Sequence, residues 1–355
     1  MSYKDGWAAI NLQMPPRVPR TEYSVETYHY DLIKRVTGIE VSDKSSPEEK
    51  SVARQAFTKA WSYDFSFGIW GYTVYDLADK KRTRMGHAEY AANGSDMDSK
   101  LDCPFKTVED VLSFDPFETY GKLDKQWLIK NFEQNYRDNL DRTPDCATSS
   151  GTYATLVSGL INTFGWDMLL LALGTDPKRM GQVTNRYADW MMQFMEALAE
   201  ADIPMALIHD DIVWTSGPFV SPDWYREYIF PNFKRMFAPI IDSGKRLGYC
   251  ADGDYTMFID DIAGCGVHGF IMEPMTDMAY IAEKYGKTHF FIGNADTRIL
   301  LDGTKQEIYD EVKRCMDIGK KCPGFFMAVG NHIPANTPIE NALYYNECYN
   351  KMSVR

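Results

Sequence analysis

The run PMALIHDDIVWTSGPFVSPDWYREYIFPNFKRM, residues 204–236, holds the pattern that decides the fold. Pro204–Ile208 is apolar and has the length of a buried strand. It ends in His209-Asp210-Asp211, a loop follows, and Ser221-Pro222 opens a helix, because serine caps a first turn and proline fits it. This is one βα unit with its polar side chains at the C-terminal end of the strand.

The same unit repeats outward. Upstream, Asp176-Pro177 starts a helix on which Met180, Val183, Tyr187, Met191, Phe194 and Leu198 follow at helical spacing. Downstream, a strand near Arg246–Cys250 leads into Ala251-Asp252-Gly253-Asp254, and Val267–Met272 ends in Glu273-Pro274. Thr288–Ile292 ends in Gly293-Asn294-Ala295-Asp296, and Phe325–Val329 ends in Asn331-His332. Thr304 with Glu307, and Thr337 with Glu340, predict two capping boxes.

Apolar strands alternating with helices imply a parallel sheet. Five consecutive strand ends rich in ligand-capable side chains suit an active-site mouth, as the strand ends of a (β/α)8 TIM barrel build one. An open doubly wound sheet also places such residues at its strand ends, so the pattern leaves closure open. In the first 150 residues, Ser46-Pro47-Glu48-Glu49 predicts a helix start and Glu22 to Val36 a second helix. WSYDFSFGIW (61–70) alternates as a half-buried strand does. The expectation is one barrel domain over 1–355, with residues 1–60 as a helical N-terminal extension.

The 355 residues are 45% hydrophobic and 25% charged, which is globular composition with ample core material. A formal charge of −12 argues against nucleic acid and anionic membranes, which need clustered Lys and Arg. MSYKDGWAAINLQ has neither a basic start nor an apolar core, so it does not read as a signal peptide. The longest aliphatic run, Met168 to Leu173, is too short to span a bilayer. A cytoplasmic enzyme is expected. The seven cysteines are scattered and never form CxxC, which excludes a thiol zinc knuckle and a disulfide framework.

Glycine-rich phosphate loops, GxSxG elbows and HExxH helices are absent from the sequence. Potential ligands at strand ends remain. Cys250 and Asp252, one residue apart, can point into the same mouth; Glu273 ends the next strand, and closure would return His332 to the same rim. Mixed S, O and N donors suit Zn²⁺ with one open position. His209, Asp210 and Asp211 suit acid–base work or orientation of a metal site. Each residue alone has a plainer reading: Asp252-Gly253-Asp254 as a turn, Glu273 as a solvated strand end, His332 as a structural histidine, an Asp as a loop cap. Their convergence favours a site.

Four stretches, in order, resemble the uroporphyrinogen decarboxylase superfamily: RVPRTEY (17–23), HDDIVWTSGPFVSPDWYREYIFPNFKRM (209–236), GNADTRILLDGTKQEIYDEVKR (293–314) and GNHIPANTPIENALYYNECY (330–349). The resemblance implies the barrel. True decarboxylases carry an arginine-bearing segment soon after the first motif, where it binds tetrapyrrole propionates. Here TEYSVETYHY (21–30) contains no arginine, and a polycarboxylate needs cationic partners. The resemblance therefore points to the superfamily's other branch, which moves methyl groups to or from corrinoid proteins.

Thiol-methylating members of that branch hold zinc on HxC and a later Cys; by position these fall on Cys250 and Asp252, and on Asn331 with His332 beside it. A set richer in oxygen and nitrogen leaves a harder ion, suited to an ether or phenolate oxygen. The chain is thus similar to the first methyltransferases of anaerobic aryl-ether O-demethylases. The implied reaction moves methyl from an O-methylated, aromatic substrate to the cobalt(I) of a corrinoid protein. In this reading Cys250, Asp252, Glu273 and His332 hold Zn²⁺, and His209, Asp210 and Asp211 are catalytic. Trp214, Asn294, Asp296 and Asn331 meet the substrate. Trp61, Tyr63, Phe65, Trp70, Tyr72, Trp166 and Trp214 supply rings, most of which core packing also explains. Two rivals stay open: a decarboxylase-like lyase on a smaller substrate, and a non-catalytic small-molecule binding barrel.

Overall fold

A computed structural model of the chain describes residues 2–23, 29–70, 83 and 103–355. Eight strands follow in chain order: β1 Phe65–Ser66, β2 Ala147–Thr148, β3 Ser150–Thr152, β4 Met205–His209, β5 Arg246–Ala251, β6 Gly269–Met272, β7 Phe290–Ala295 and β8 Phe325–Val329. β3 to β8 form one sheet in sequential order, every pair parallel, and β1 pairs parallel with β2. Only Ser149 separates β2 from β3, so residues 147–152 act as one stave that meets 65–70 on one side and β4 on the other.

The ring is completed by residues 17–23. The Thr21 N–H donates to Met327 O (3.1 Å) and the Met327 N–H to Pro19 O (2.9 Å), while on the other side the Asp64 N–H donates to Arg20 O (2.7 Å). Eight staves therefore close into a barrel, which the sequence pattern left open. This also corrects the expected extension. Helices Tyr3–Ile10, Tyr30–Thr37 and Pro47–Ala60 do lie in the first 60 residues, but 17–23 is a barrel stave, not a helical layer. Of the helix expected over Glu22 to Val36, Tyr30–Thr37 is helical, Glu22 and Tyr23 belong to the stave, and residues 24–28 lie outside the described ones.

Buried charge holds that stave in place. Arg20 is fully buried, donates from Nε to Glu22 (2.9 Å), and lays its guanidinium 4.3 Å from the Trp61 ring and 4.8 Å from the Tyr349 ring. Glu22 also accepts from the Val329 N–H (2.9 Å) and the Tyr345 hydroxyl (2.8 Å). Asp64, equally buried, accepts from the Ser2 N–H (2.8 Å), Arg17 Nη2 (2.6 Å) and the Arg20 N–H (2.9 Å). Ions are tolerated at such depth only when paired and hydrogen-bonded.

Strand side chains alternate as a period of two demands. Met205 and Leu207, Phe290 and Ile292, and Phe326 and Ala328 fill the barrel, while Ala206, Ile208, Phe291, Phe325 and Met327 pack outward on the helices. Helix Val157–Thr175 is long and apolar enough by composition to cross a membrane, yet 67% of that apolar window is buried in this fold. The caps expected at Asp176, at Ser46 with Glu49, and at Thr304 with Glu307 form. The box at Thr337 does not. Thr337 is buried, its carbonyl bonds the His29 ring (2.8 Å), and the helix starts at Ile339 after Pro338.

Candidate functional site

The C-terminal ends of the staves gather acids, histidines and several rings. His209 ends β4 and pairs in register with Cys250 of β5. Its ring stacks on Tyr153 (centroids 4.2 Å apart, planes 10° off parallel), and the side chain is 8% exposed. Burial pushes its pKa down, against the pull of Asp252 and Asp210, and so favours the neutral imidazole. Nε2 lies 3.5 Å from Asp211 Oδ1, and among the described residues Nδ1 has no partner.

Asp210 faces the other way. It is fully buried and accepts from the Leu156 (3.1 Å), Val157 (3.0 Å) and Ser158 (2.7 Å) N–H groups, the first turn of helix Val157–Thr175. Burial lifts its pKa to about 6 despite those bonds. Its carboxylate caps that helix, so the acid–base part expected of it has no access to the mouth.

Asp211 is fixed by its N–H to Ser158 Oγ (2.7 Å), and its Oδ1 accepts the Asp252 N–H (2.8 Å). Loss of water in the crowded acid cluster, then Glu273, raises its pKa; the same crowding, then Asp211 and Glu273, raises that of Asp252, although Asp252 as a whole residue is exposed. Donor atoms of His209, Asp211 and Asp252 all lie within 4.8 Å of one another. Glu273 sits beside them, accepting from the Gly253 N–H (2.7 Å) and Asn331 Nδ2 (2.6 Å). Gly253 holds φ +82°, and a Cβ there would meet Trp214 O at 2.6 Å, so only glycine fits. Trp214 O also accepts the Asp254 N–H (3.1 Å), lacing the loops after β4, β5, β6 and β8 together.

A cleft opens over this cluster, lined by Val213, Trp214, Thr215, Ser216, Asp252, Gly253 and Glu273, none of them basic. Trp214 is 43% exposed and packs on Trp166 (5.6 Å) and Phe219 (5.7 Å).

The ligand set expected from sequence is not the one the structure gathers. Among the described residues, no group of three donors includes Cys250, Glu273 or His332. Cys250 points into the apolar barrel interior with Leu207 and Ile271, where burial lifts its thiol pKa well above the usual range. The Glu273 oxygens are held by Gly253 and Asn331, and His332 lies on the rim beside Tyr23, its pKa lowered by burial. Asn294 is buried with its amide in use: Nδ2 donates to Glu273 O (3.2 Å) and Thr276 O (3.1 Å), and Oδ1 accepts from Arg314 (3.0 Å). Asp296 caps helix Thr297–Asp302 and binds Arg298 (2.6 Å), whose bonds outweigh burial and keep its pKa low.

Of the expected rings, Trp61, Tyr63 and Phe65 are core; Trp70 packs on Trp127 and Phe132; Trp166 and Trp214 stand at the mouth; Tyr72 lies outside the described residues. Sequence reasoning missed Tyr153 and Ser158. Both follow Ser149-Ser150-Gly151-Thr152, a strand too short and polar to show an apolar run.

The family profile described as uroporphyrinogen decarboxylase (URO-D) matches residues 107–352. The uroporphyrinogen decarboxylase of Syntrophotalea carbinolica is 25% identical over 177 residues, 50% of this chain and 50% of that protein. That of Geotalea uraniireducens is 27% identical over 172 residues, 46% of each. The chain thus spans about half the length of the curated relatives it matches. The solved structure of a methyltransferase from Methanosarcina mazei shares the fold, with a TM-score of 0.64 at 17% identity over 99% of both chains.

Proposed function

The chain belongs to the uroporphyrinogen decarboxylase family, and on that premise we propose that its mouth transfers a methyl group from an O-methylated aromatic molecule to the cobalt(I) of a corrinoid protein. The observation that carries this is the donor group His209, Asp211 and Asp252 under an acidic cleft with no basic residue among its described lining. A porphyrinogen's carboxylates need Arg or Lys partners, and such a lining repels them. The likeness to the Methanosarcina methyltransferase over the whole chain supports the same class of chemistry.

His209, Asp211 and Asp252 fit Zn²⁺. A nine-tenths-buried imidazole with an unpartnered nitrogen stands beside two carboxylates, offering three donors and an open position. Zinc, when bound, supplies a Lewis acid for the departing oxygen. The chain's own residues set the geometry. Tyr153 fixes the imidazole plane, Ser158 fixes Asp211, and the Asp252 N–H orients the Asp211 carboxylate. Trp214, backed by Trp166 and Phe219, offers a wall for the substrate ring. The methyl–oxygen bond breaks with both electrons left on oxygen, and the cobalt(I) electron pair makes the new bond to carbon.

The test is elemental analysis of protein from zinc-supplemented medium, with substitution of each candidate ligand. We expect about one zinc per chain, as a mononuclear catalytic site holds, lost in Asp211→Ala and Asp252→Ala and kept in Cys250→Ala. Zinc retained by Asp252→Ala overturns the ligand set. A panel of methoxyaromatics that leaves cob(I)alamin unmethylated in the zinc-loaded protein overturns the methyl transfer.

A further inference from the structure

We infer that the cleft selects a substrate carrying a positive charge: the O-methylated molecule also bears an ammonium group, held between Glu273 and Trp214. This rests on the methyl-transfer reading of the same mouth.

Charge comes first. Asp211, Asp252 and Glu273 converge on the cleft, and among the described residues none of them forms an ion pair with Lys or Arg. A divalent ion on His209, Asp211 and Asp252 balances the two aspartates and leaves Glu273 unmatched. Its bonds come from the Gly253 N–H and the Asn331 amide, neutral donors that aim the carboxylate without neutralising it. Arg298 reaches Glu273 through its field, but its Nε and Nη2 are bound to Asp296 (2.9 Å and 2.6 Å). Partly buried, unmatched negative charge is a standing attraction for a cation.

The wall comes second. A tryptophan 43% exposed at the lip of an acidic cleft is the best cation–π acceptor among side chains. Trp166, Trp214 and Phe219 pack on one another with centroids 5.3 to 5.7 Å apart, so they form a solid corner, not an open cage. The corner therefore offers an aromatic surface beside Glu273, enough for one ammonium group.

A third observation shows that the cluster is built to receive a ligand. His209 is more than nine-tenths buried, and its Nδ1 has no partner among the described residues. A solvated acidic patch has no reason to bury, beside its carboxylates, a histidine with one ring nitrogen unsatisfied. The same charge arrangement disfavours carboxylated methoxyaromatics, because their anion meets Glu273.

The test uses three matched ligands on the zinc-loaded protein, without a corrinoid: para-methoxyphenethylamine, para-methoxyphenethyl alcohol and para-methoxyphenylacetate. Calorimetry should rank them amine, alcohol, carboxylate, with the amine at least about tenfold tighter than the alcohol, equivalent to about 1.4 kcal/mol. Glu273→Gln and Trp214→Ala should each narrow the gap between amine and alcohol to less than about threefold, with zinc content as the check that the mouth is intact. Raising the ionic strength should narrow the same gap in the unaltered protein. A carboxylate that binds as tightly as the amine, an amine no better than the alcohol, or no amine binding at all overturns the inference. Because no turnover is needed, the binding order stands or falls separately from methyl transfer. Methylation of cob(I)alamin with no preference for the amine sinks only the charge selection.

Discussion

Asp210 and Asp211 are neighbours in sequence with opposite tasks. Three backbone N–H groups converge on Asp210, at the first turn of the most apolar of the described helices. Asp210→Ala would leave those donors buried without an acceptor, and hydrogen bonds to charged groups are each worth about 1.5–3 kcal/mol. We expect urea unfolding of Asp210→Ala to show a loss of at least about 3 kcal/mol, whereas Asp211→Ala loses zinc with a much smaller change in stability. Equal stability losses in the two variants would contradict the division. The sequence did show an acidic strand end here, but not which acid faces the mouth. Parity settles it: Met205, Leu207, His209 and Asp211 share the inward face, while Ala206, Ile208 and Asp210 face the helices. The same rule puts Cys250 and Asp252 on one face but on different levels. Cys250 lies among interior apolar side chains, and Asp252 reaches the cluster.

At the scale of elements, the site depends on loops that constrain one another. Gly253 joins β5 to the rim in a left-handed conformation, its N–H on Glu273 and its α-carbon against the Trp214 carbonyl. Gly253→Ala meets two penalties together, a strained φ and a backbone oxygen 2.6 Å from the new Cβ. We expect it to lower stability by about 1–3 kcal/mol and to weaken zinc binding, read by competition with a chelator. Unchanged zinc affinity would show that the β4 and β5 loops do not depend on each other. Most elements were legible because apolar runs flanked by caps are strong local signals, as at Phe325–Val329 and at the Thr304–Glu307 box. The stave 147–152 was not. It is short and made of Ala, Thr, Ser and Gly, and neighbouring chain, not its own composition, makes it a strand.

For the whole molecule, closure depends on residues 17–23 with their buried ions. Asp64 binds Arg17 and the backbone of Ser2 and Arg20, tying the first stave to the second. Removing one member of a buried ion pair leaves the other uncompensated, at about 3–5 kcal/mol. Asp64→Ala should lose stability of that order in urea titrations, and its amide exchange should rise first along 17–23 and β8. Uniform exchange across all strands would show instead that the ring opens as one unit. Closure was not legible because the bonds that make it join positions with no local signal in common. Only the superfamily resemblance pointed to a barrel, and the pairing of Arg20 with Met327 supplies its physical basis.

That pairing also fixes an order of events during synthesis. Glu22 receives the N–H of Val329, 307 residues further along the chain. A ribosome releasing residues one after another lets 17–23 meet Trp61 and Asp64 early, but leaves its other edge unpaired until β8 has emerged. The other staves pair with the next strand made and can assemble as they appear. The seam between 17–23 and β8 must therefore form last, and the time until it does is when this chain is most open to wrong pairings with other chains.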